Sequence, residues 1–181
     1  MKNYGLIVVG TGSAMNIVEP LLQRKPDMRI AVIDKDPPGG ICLTRGCIPT
    51  KILLYPAELV RDIERAKEFG IYASIQNIDF QAIMDRMRKL IDADIDMIRR
   101  GLMHSEAIDY YPVPASFQAP YTIKVGKEVI KGDMILLCTG SRPLIPPVRG
   151  LDKVAYHTSD SILNIKKRPG SIIIIGGGYI A

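Results

Sequence analysis

Residues 5–12 have the sequence GLIVVGTG, a continuous apolar run closed by a glycine turn. Uninterrupted aliphatic and β-branched residues predict a strand that is buried on both faces, as in a parallel sheet. Gly10 and Gly12 allow a tight turn that leaves backbone N–H groups at the start of a helix, where a phosphate can bind. We expect that helix over residues 13–25, kinked or shortened at Pro20.

A second apolar run, residues 30–33, predicts a strand that ends at Asp34. Asp34 follows Gly10 by 24 residues, close to the roughly 20-residue offset at which a carboxylate accepts the ribose hydroxyls of a dinucleotide. Met15 stands where the third glycine of G-x-G-x-x-G is expected, so a glycine turn without a nucleotide is the alternative. The pattern favours a βαβ nucleotide-binding unit.

Two cysteines, Cys42 and Cys47, flank four residues in a glycine-containing segment. Such a pair is a metal-ligand pair, two inert core thiols or a redox-active disulfide. Three cysteines and two separate histidines disfavour a zinc site. Lys51 supplies a cation that favours a thiolate. Inert thiols and a redox pair both stay open, whereas Cys138 ends an apolar run and is predicted to be a small buried hydrophobe.

Helical patterns dominate the middle of the chain. Residues 41–55 have a helical pattern that Pro49 should break, and a further helix is expected over 57–69. Asp79 is a predicted N-cap for a long amphipathic helix whose apolar residues extend to Leu102.

Short strands follow. Residues 108–138 predict an antiparallel meander that ends in a buried strand, and the Pro-rich residues 139–151 predict a linker. A fifth buried strand is expected at 171–175, followed by a second glycine turn at 176–181. The fold class is therefore α/β: a Rossmann-like domain with a parallel sheet, inserted long helices and a small antiparallel β-meander.

Charge and composition argue against nucleic acid and membrane as partners. The net charge is +5, but basic residues form no long stripe, aromatic residues make up 6% and Trp is absent. Nucleic acid is therefore not expected as a partner. No apolar stretch approaches the roughly 18 residues that span a bilayer, so we expect no membrane association and a cytoplasmic location.

Residues 39–51, GGICLTRGCIPTK, resemble the redox-disulfide signature of the FAD-dependent pyridine nucleotide-disulfide oxidoreductases, which include dihydrolipoamide dehydrogenase and mycothione reductase. Residues 139–143 resemble the second FAD-contact motif of that family, and 176–181 resemble the start of its NAD(P) fingerprint. The resemblance implies an incomplete FAD-binding domain over 1–150. It implies a linker and the first strand of a truncated NAD(P)-binding domain over 151–181.

The resemblance also implies roles for individual residues. Cys47 matches the thiol beside the flavin, Cys42 the thiol that exchanges with substrate, and Lys51 the lysine near flavin N5. The residues that it places on FAD or NAD(P) are Gly10, Gly12, Ser13, Asp34, Lys35, Gly40, Lys51, Thr139, Gly140, Gly176, Gly178 and Tyr179. Ile41 stands where the family usually has Thr, and Arg45 where it usually has a small or apolar residue. Asp34 replaces a more usual Glu.

These matches predict an FAD enzyme that transfers electrons between NAD or NADP and a small thiol or disulfide. Dihydrolipoamide is the leading substrate, with mycothiol disulfide, glutathione-type disulfides and Hg(II) as alternatives. A homodimer is expected for a full-length protein, and no turnover for these 181 residues alone, because the family's base and dimer domain would follow Ala181. The competing class is a non-enzymatic flavin- or nucleotide-binding module with structural cysteines.

Overall fold

The structure, a computed structural model, describes all residues from Met1 to Ala181. Ten helices and strands follow one another along the chain: β1 (Lys2–Val9), α1 (Met15–Arg24), β2 (Ile30–Ile33), α2 (Gly40–Arg45), α3 (Cys47–Arg65), α4 (Phe80–His104), β3 (Ile108–Tyr111), β4 (Ala115–Ala119), β5 (Thr122–Val125) and β6 (Glu128–Leu137). The chain divides into two compact units, residues 1–44 with 91–141 and residues 45–90 with 142–181. No helix is both long and apolar enough to cross a membrane.

The first unit contains a six-stranded sheet with the strand order β3-β2-β1-β6-β5-β4. β3, β2, β1 and β6 are parallel, and β6, β5 and β4 are antiparallel. β1 is central, with Val8 opposite Val32 on one side and Leu136 on the other. The α/β class, the parallel sheet and the meander are confirmed.

Both faces of the second half of β1 are buried, which explains why Leu6 to Val9 are apolar at every position rather than alternating. Ile7 belongs to the cluster on one face and Val8 to the cluster on the other, and both side chains are fully buried. The Val8 cluster includes Val18 of α1 and Leu102 of α4. Burying one such side chain contributes about 1.5–3 kcal/mol to the free energy of folding. The packing of α1 and α4 therefore stabilises the sheet and the turn after β1.

A polar network lies towards the start of β1, away from its glycine turn. Tyr4 is buried, and its hydroxyl donates to Asp109 and is hydrogen-bonded to the hydroxyl of Tyr111 at 2.7 Å. Arg29 pairs with the other oxygen of Asp109 at 2.8 Å. Burial, followed by these hydrogen bonds, raises the pKa of Tyr4. The network links β1 to β3 with the phenol in its protonated form.

Two predicted helix boundaries in the second unit are wrong. The sequence predicted a break at Pro49 and a new helix from residue 57, but α3 runs without a break from Cys47 to Arg65. Pro49 is the third residue of α3, where an N–H has no intrahelical acceptor, so its ring is tolerated. Pro56 lies inside the helix. The predicted N-cap is confirmed, because Asp79 Oδ1 accepts the N–H of Ala82 at 2.9 Å.

The predicted fifth strand at 171–175 is wrong. Residues 171–175 have no strand structure, and Ile172 to Ile175 are between 59% and 91% exposed. A strand needs a neighbour that pairs with its backbone N–H and C=O groups. No strand of the sheet pairs with this segment, so its apolar composition alone does not make it a strand.

Candidate functional site

The turn after β1 requires glycine at its first position. Gly10 has φ +108°, and a Cβ there would lie 2.0 Å from the carbonyl oxygen of Cys138 at the end of β6. The Gly10 N–H donates to the Ile33 carbonyl at 2.7 Å. The turn is therefore held between the carboxyl ends of β2 and β6, the edge of a parallel sheet at which ligands bind in open α/β folds.

The turn keeps backbone donors available for an anion. The N–H groups of Met15 and Asn16 donate to the carbonyls of Gly12 and Ser13 in the first turn of α1. The N–H groups of Gly12, Ser13 and Ala14 have no intrachain acceptor. Free N–H groups at the positive end of a helix fit a phosphate or pyrophosphate, so this turn fits the dinucleotide that the sequence predicts.

Asp34 lies beside this turn, at the position where a carboxylate that binds ribose is expected. Its carboxylate is hydrogen-bonded to Thr11. The N–H and the hydroxyl of Thr11 both donate to Asp34 Oδ2, at 2.8 and 2.6 Å. The Thr11 hydroxyl also accepts the N–H of Gly39 at 3.1 Å. Sequence reasoning missed Thr11, although a hydroxyl residue inside the glycine turn was the available signal. Lys35 is exposed, with its Nζ 3.7 Å from Asp36 Oδ1.

The cysteine-containing segment begins against the same turn. A Cβ on Gly40, whose φ is +67°, would lie 2.5 Å from the Cα of Gly12. Gly140 also contacts this segment, since an added Cβ there would be 3.1 Å from Cδ1 of Ile41. Three stretches that are distant in sequence, at residues 10–12, 39–41 and 140, therefore meet in the first unit. Ile41, which departs from the family pattern, fills this contact with an apolar side chain.

The two cysteines occupy different helices. Cys42 lies in α2, and Cys47 is the first residue of α3. Both are exposed thiols, and the chain contains no disulfide and no cluster of metal-ligating side chains. Lys51 lies one helical turn after Cys47 on the same face of α3. The first turn of α3 has no acidic residue, so its positive helix end and Lys51 both favour negative charge there.

Arg45 lies between the cysteines in sequence and forms an ion pair within the second unit. Its Nε is 3.0 Å from Asp160 Oδ1. Arg88 of α4 donates to the carbonyl of Ile165 at 3.1 Å. These contacts attach residues 160–165 to the helices of this unit. Sequence reasoning noted Arg45 but did not find Asp160, because nothing local relates positions 115 residues apart.

The second glycine turn is exposed. Gly176 has φ +117°, but a Cβ on Gly176 or Gly178 would meet no atom within 4 Å. Tyr179 is 99% exposed. Thr139 is also exposed. The FAD role predicted for Thr139 and the NAD(P) roles predicted for Gly176, Gly178 and Tyr179 remain predictions.

The chain matches the family profile described as pyridine nucleotide-disulphide oxidoreductase over residues 4–181. It belongs to this family. Family membership confirms the resemblance seen in the cysteine segment, and the family's members are oxidoreductases that act on disulfides.

Named relatives show the same relationship. The chain is 32% identical to mycothione reductase of Mycobacterium tuberculosis (strain ATCC 25618 / H37Rv) over 188 residues, which cover 100% of the chain and 40% of that protein. It is 31% identical to dihydrolipoyl dehydrogenase of Acholeplasma laidlawii, covering 99% of the chain and 54% of the relative. Mercuric reductase of Lysinibacillus sphaericus is 27% identical, with 98% and 32% covered. The chain thus spans about a third to a half of the length of these relatives.

A solved structure has the same fold. The Cu(II) complex of the HOCl-induced flavoprotein disulfide reductase RclA from Escherichia coli superposes with a TM-score of 0.74 at 25% identity, covering 94% of the chain and 36% of RclA. The Rossmann-like FAD-domain fold predicted from the glycine turn is confirmed. This member of the pyridine nucleotide-disulphide oxidoreductase family therefore shares its fold with part of a flavoprotein disulfide reductase.

Proposed function

We propose that this chain is the FAD-binding part of a disulfide oxidoreductase that passes electrons between NAD or NADP, FAD and a Cys42–Cys47 disulfide. The observation that carries the proposal is the packing of Gly40 against Gly12, which brings the start of the cysteine segment into contact with the glycine turn. Cys42, an exposed thiol, follows Gly40 by two residues in the same unit as that turn, and a thiol so close in sequence to a nucleotide-contacting segment suits exchange with a bound redox group.

The residues of the turn fit FAD. The unpartnered N–H groups of Gly12 and Ser13 would hold its pyrophosphate, and Asp34 would accept its adenosine ribose. Lys51 and residues 139–140 would lie towards its flavin, as the family motif implies. Bound FAD supplies two-electron exchange with the nicotinamide and with the disulfide. Gly176, Gly178 and Tyr179 would contribute to NAD(P) binding.

The cysteines carry out the substrate step. The Cys42–Cys47 disulfide accepts two electrons and two protons and becomes two thiols. The Cys42 thiolate attacks one sulfur of a small disulfide, forming a mixed disulfide and releasing one substrate thiol. Cys47 then attacks Cys42, which re-forms the protein disulfide and releases the second thiol. The exposed position of Cys42 suits this access.

The substrate class is a small thiol or disulfide, and the reverse sequence oxidises a dithiol. Dihydrolipoamide is our leading substrate, because several of the similar proteins are dihydrolipoyl dehydrogenases. Mycothiol disulfide, glutathione-type disulfides and Hg(II) are the alternatives. A cytoplasmic homodimer is proposed for the whole protein.

The test is an anaerobic dithionite titration of the flavin-loaded, full-length protein. FAD and one disulfide each take two electrons, so wild type should consume about four electrons per chain. Cys42→Ser and Cys47→Ser should each lower that figure to about two. Cys138→Ala is the matched control and should keep about four. Wild-type uptake of about two electrons would favour a nucleotide-binding module with structural cysteines and would overturn the proposal.

A further inference from the structure

Apart from the aromatic Tyr4, Thr11 is the only buried residue with a polar side-chain group, with 2% of its surface exposed. A buried hydroxyl is stable only where its hydrogen bonds are made. Thr11 makes three contacts: two donations to Asp34 Oδ2 and one acceptance from the Gly39 N–H. The residue therefore links the glycine turn, the ribose carboxylate and the start of the cysteine segment.

These contacts restrict what Asp34 can still bind. A carboxylate has about four acceptor sites, two on each oxygen. Both sites of Oδ2 are taken by Thr11, and one site of Oδ1 is taken by the N–H of Asp36 at 3.0 Å. One acceptor site remains, on Oδ1. An adenosine ribose presents two neighbouring hydroxyls, the 2′ and the 3′.

We infer that Thr11 is a positioning residue that makes Asp34 accept only one of the two ribose hydroxyls. Aspartate is one methylene shorter than glutamate, and the backbone N–H and hydroxyl of Thr11 hold its carboxylate close to the turn. The carboxylate is thereby fixed before the nucleotide arrives. This inference rests on the proposed function, since it assumes that an adenine dinucleotide binds at this turn.

The experiment measures binding of ADP, 2′-deoxy-ADP and 3′-deoxy-ADP to the full-length protein freed of flavin, by calorimetry. A hydrogen bond to a charged group accounts for about 10- to 100-fold in affinity. One deoxy analogue should therefore bind about 10- to 100-fold more weakly than ADP. The other should bind within about twofold of ADP, because Asp34 has no site for its missing hydroxyl.

Thr11 variants test its part in this asymmetry. Thr11→Val keeps the shape of the side chain but frees one site on Oδ2, so both deoxy analogues should lose affinity relative to ADP. Thr11→Ser retains the hydroxyl and should keep the wild-type asymmetry. A role in stability alone would lower the melting temperature of Thr11→Val without changing the ratio of the two analogues.

Equal losses for both analogues in the wild type would overturn the inference, as would an unchanged asymmetry in Thr11→Val. Failure of the proposed function looks different. In that case ADP itself does not bind, or the dithionite titration consumes about two electrons. ADP binding with symmetric losses, together with an uptake of about four electrons, would remove only the role of Thr11.

Discussion

Gly10→Ala should disrupt the close contact between the glycine turn after β1 and the Cys138 carbonyl after β6. The native φ of +108° costs a residue with a Cβ about 1–3 kcal/mol. The new Cβ would lie 2.0 Å from the Cys138 carbonyl oxygen, whereas ordinary contacts begin at about 3.4 Å. The backbone must therefore separate by more than an ångström at a sheet edge that the Cys138 N–H to Val9 carbonyl bond holds at 2.8 Å. We expect the free energy of unfolding to fall by at least about 3 kcal/mol.

Urea unfolding followed by circular dichroism measures this loss, and flavin fluorescence measures FAD retention in the same samples. Gly101→Ala is the matched control, because Gly101 lies inside α4 and an added Cβ there meets nothing within 4 Å. It should stabilise the protein by about 0.5–1 kcal/mol through helix propensity. If Gly10→Ala unfolds at the wild-type urea concentration and still retains FAD, the argument from backbone approach is refuted.

Two further predictions concern stability. Asp79→Ala removes the N-cap of α4 and should cost about 1 kcal/mol in thermal unfolding; Asp92→Ala, an exposed position within α4, should change little, and equal effects would contradict the role of the cap. Burial raises the pKa of Tyr4, so the folded state retains the neutral phenol while the unfolded chain ionises near its usual pKa of about 10. The stability contributed by Tyr4 is therefore complete below about pH 10 and decreases as the pH rises above it. Tyr4→Phe should lower stability at pH 8 by about 0.5–1.5 kcal/mol and reduce the alkaline decrease, as urea unfolding at pH 8 and 10.5 would show. The exposed Tyr121→Phe should leave both unchanged, and a Tyr4→Phe variant with the full wild-type alkaline decrease would contradict this explanation.

Local patterns predicted most of the sheet and part of the helices. The run from Leu6 to Val9 is apolar at every position, which is typical of a strand that is buried on both faces. Asp79 was recognisable as an N-cap because its side chain serves donors only three residues away. Both signals act over a few residues, so they can be interpreted without knowing the rest of the fold.

Signals that depend on position or on a partner were misleading. Pro49 was predicted to break a helix. It is the third residue of α3, where a backbone N–H would have no intrahelical acceptor, so the missing N–H of proline costs no hydrogen bond. Residues 171–175 have the composition of a strand, but a strand forms only where another strand pairs with it. Composition alone records neither condition.

By itself, the sequence determined the βαβ pattern, the glycine turn, the position of Asp34 after the second strand and the family signature around Cys42 and Cys47. These features depend on residue type and on short spacings, both of which can be read directly from the sequence. Only the tertiary structure decided that Thr11 occupies one oxygen of Asp34 and that Gly12 and Gly40 pack together. Hydrogen bonds and backbone approach across 23 to 28 residues depend on where the sheet places each turn, and no local pattern encodes that placement.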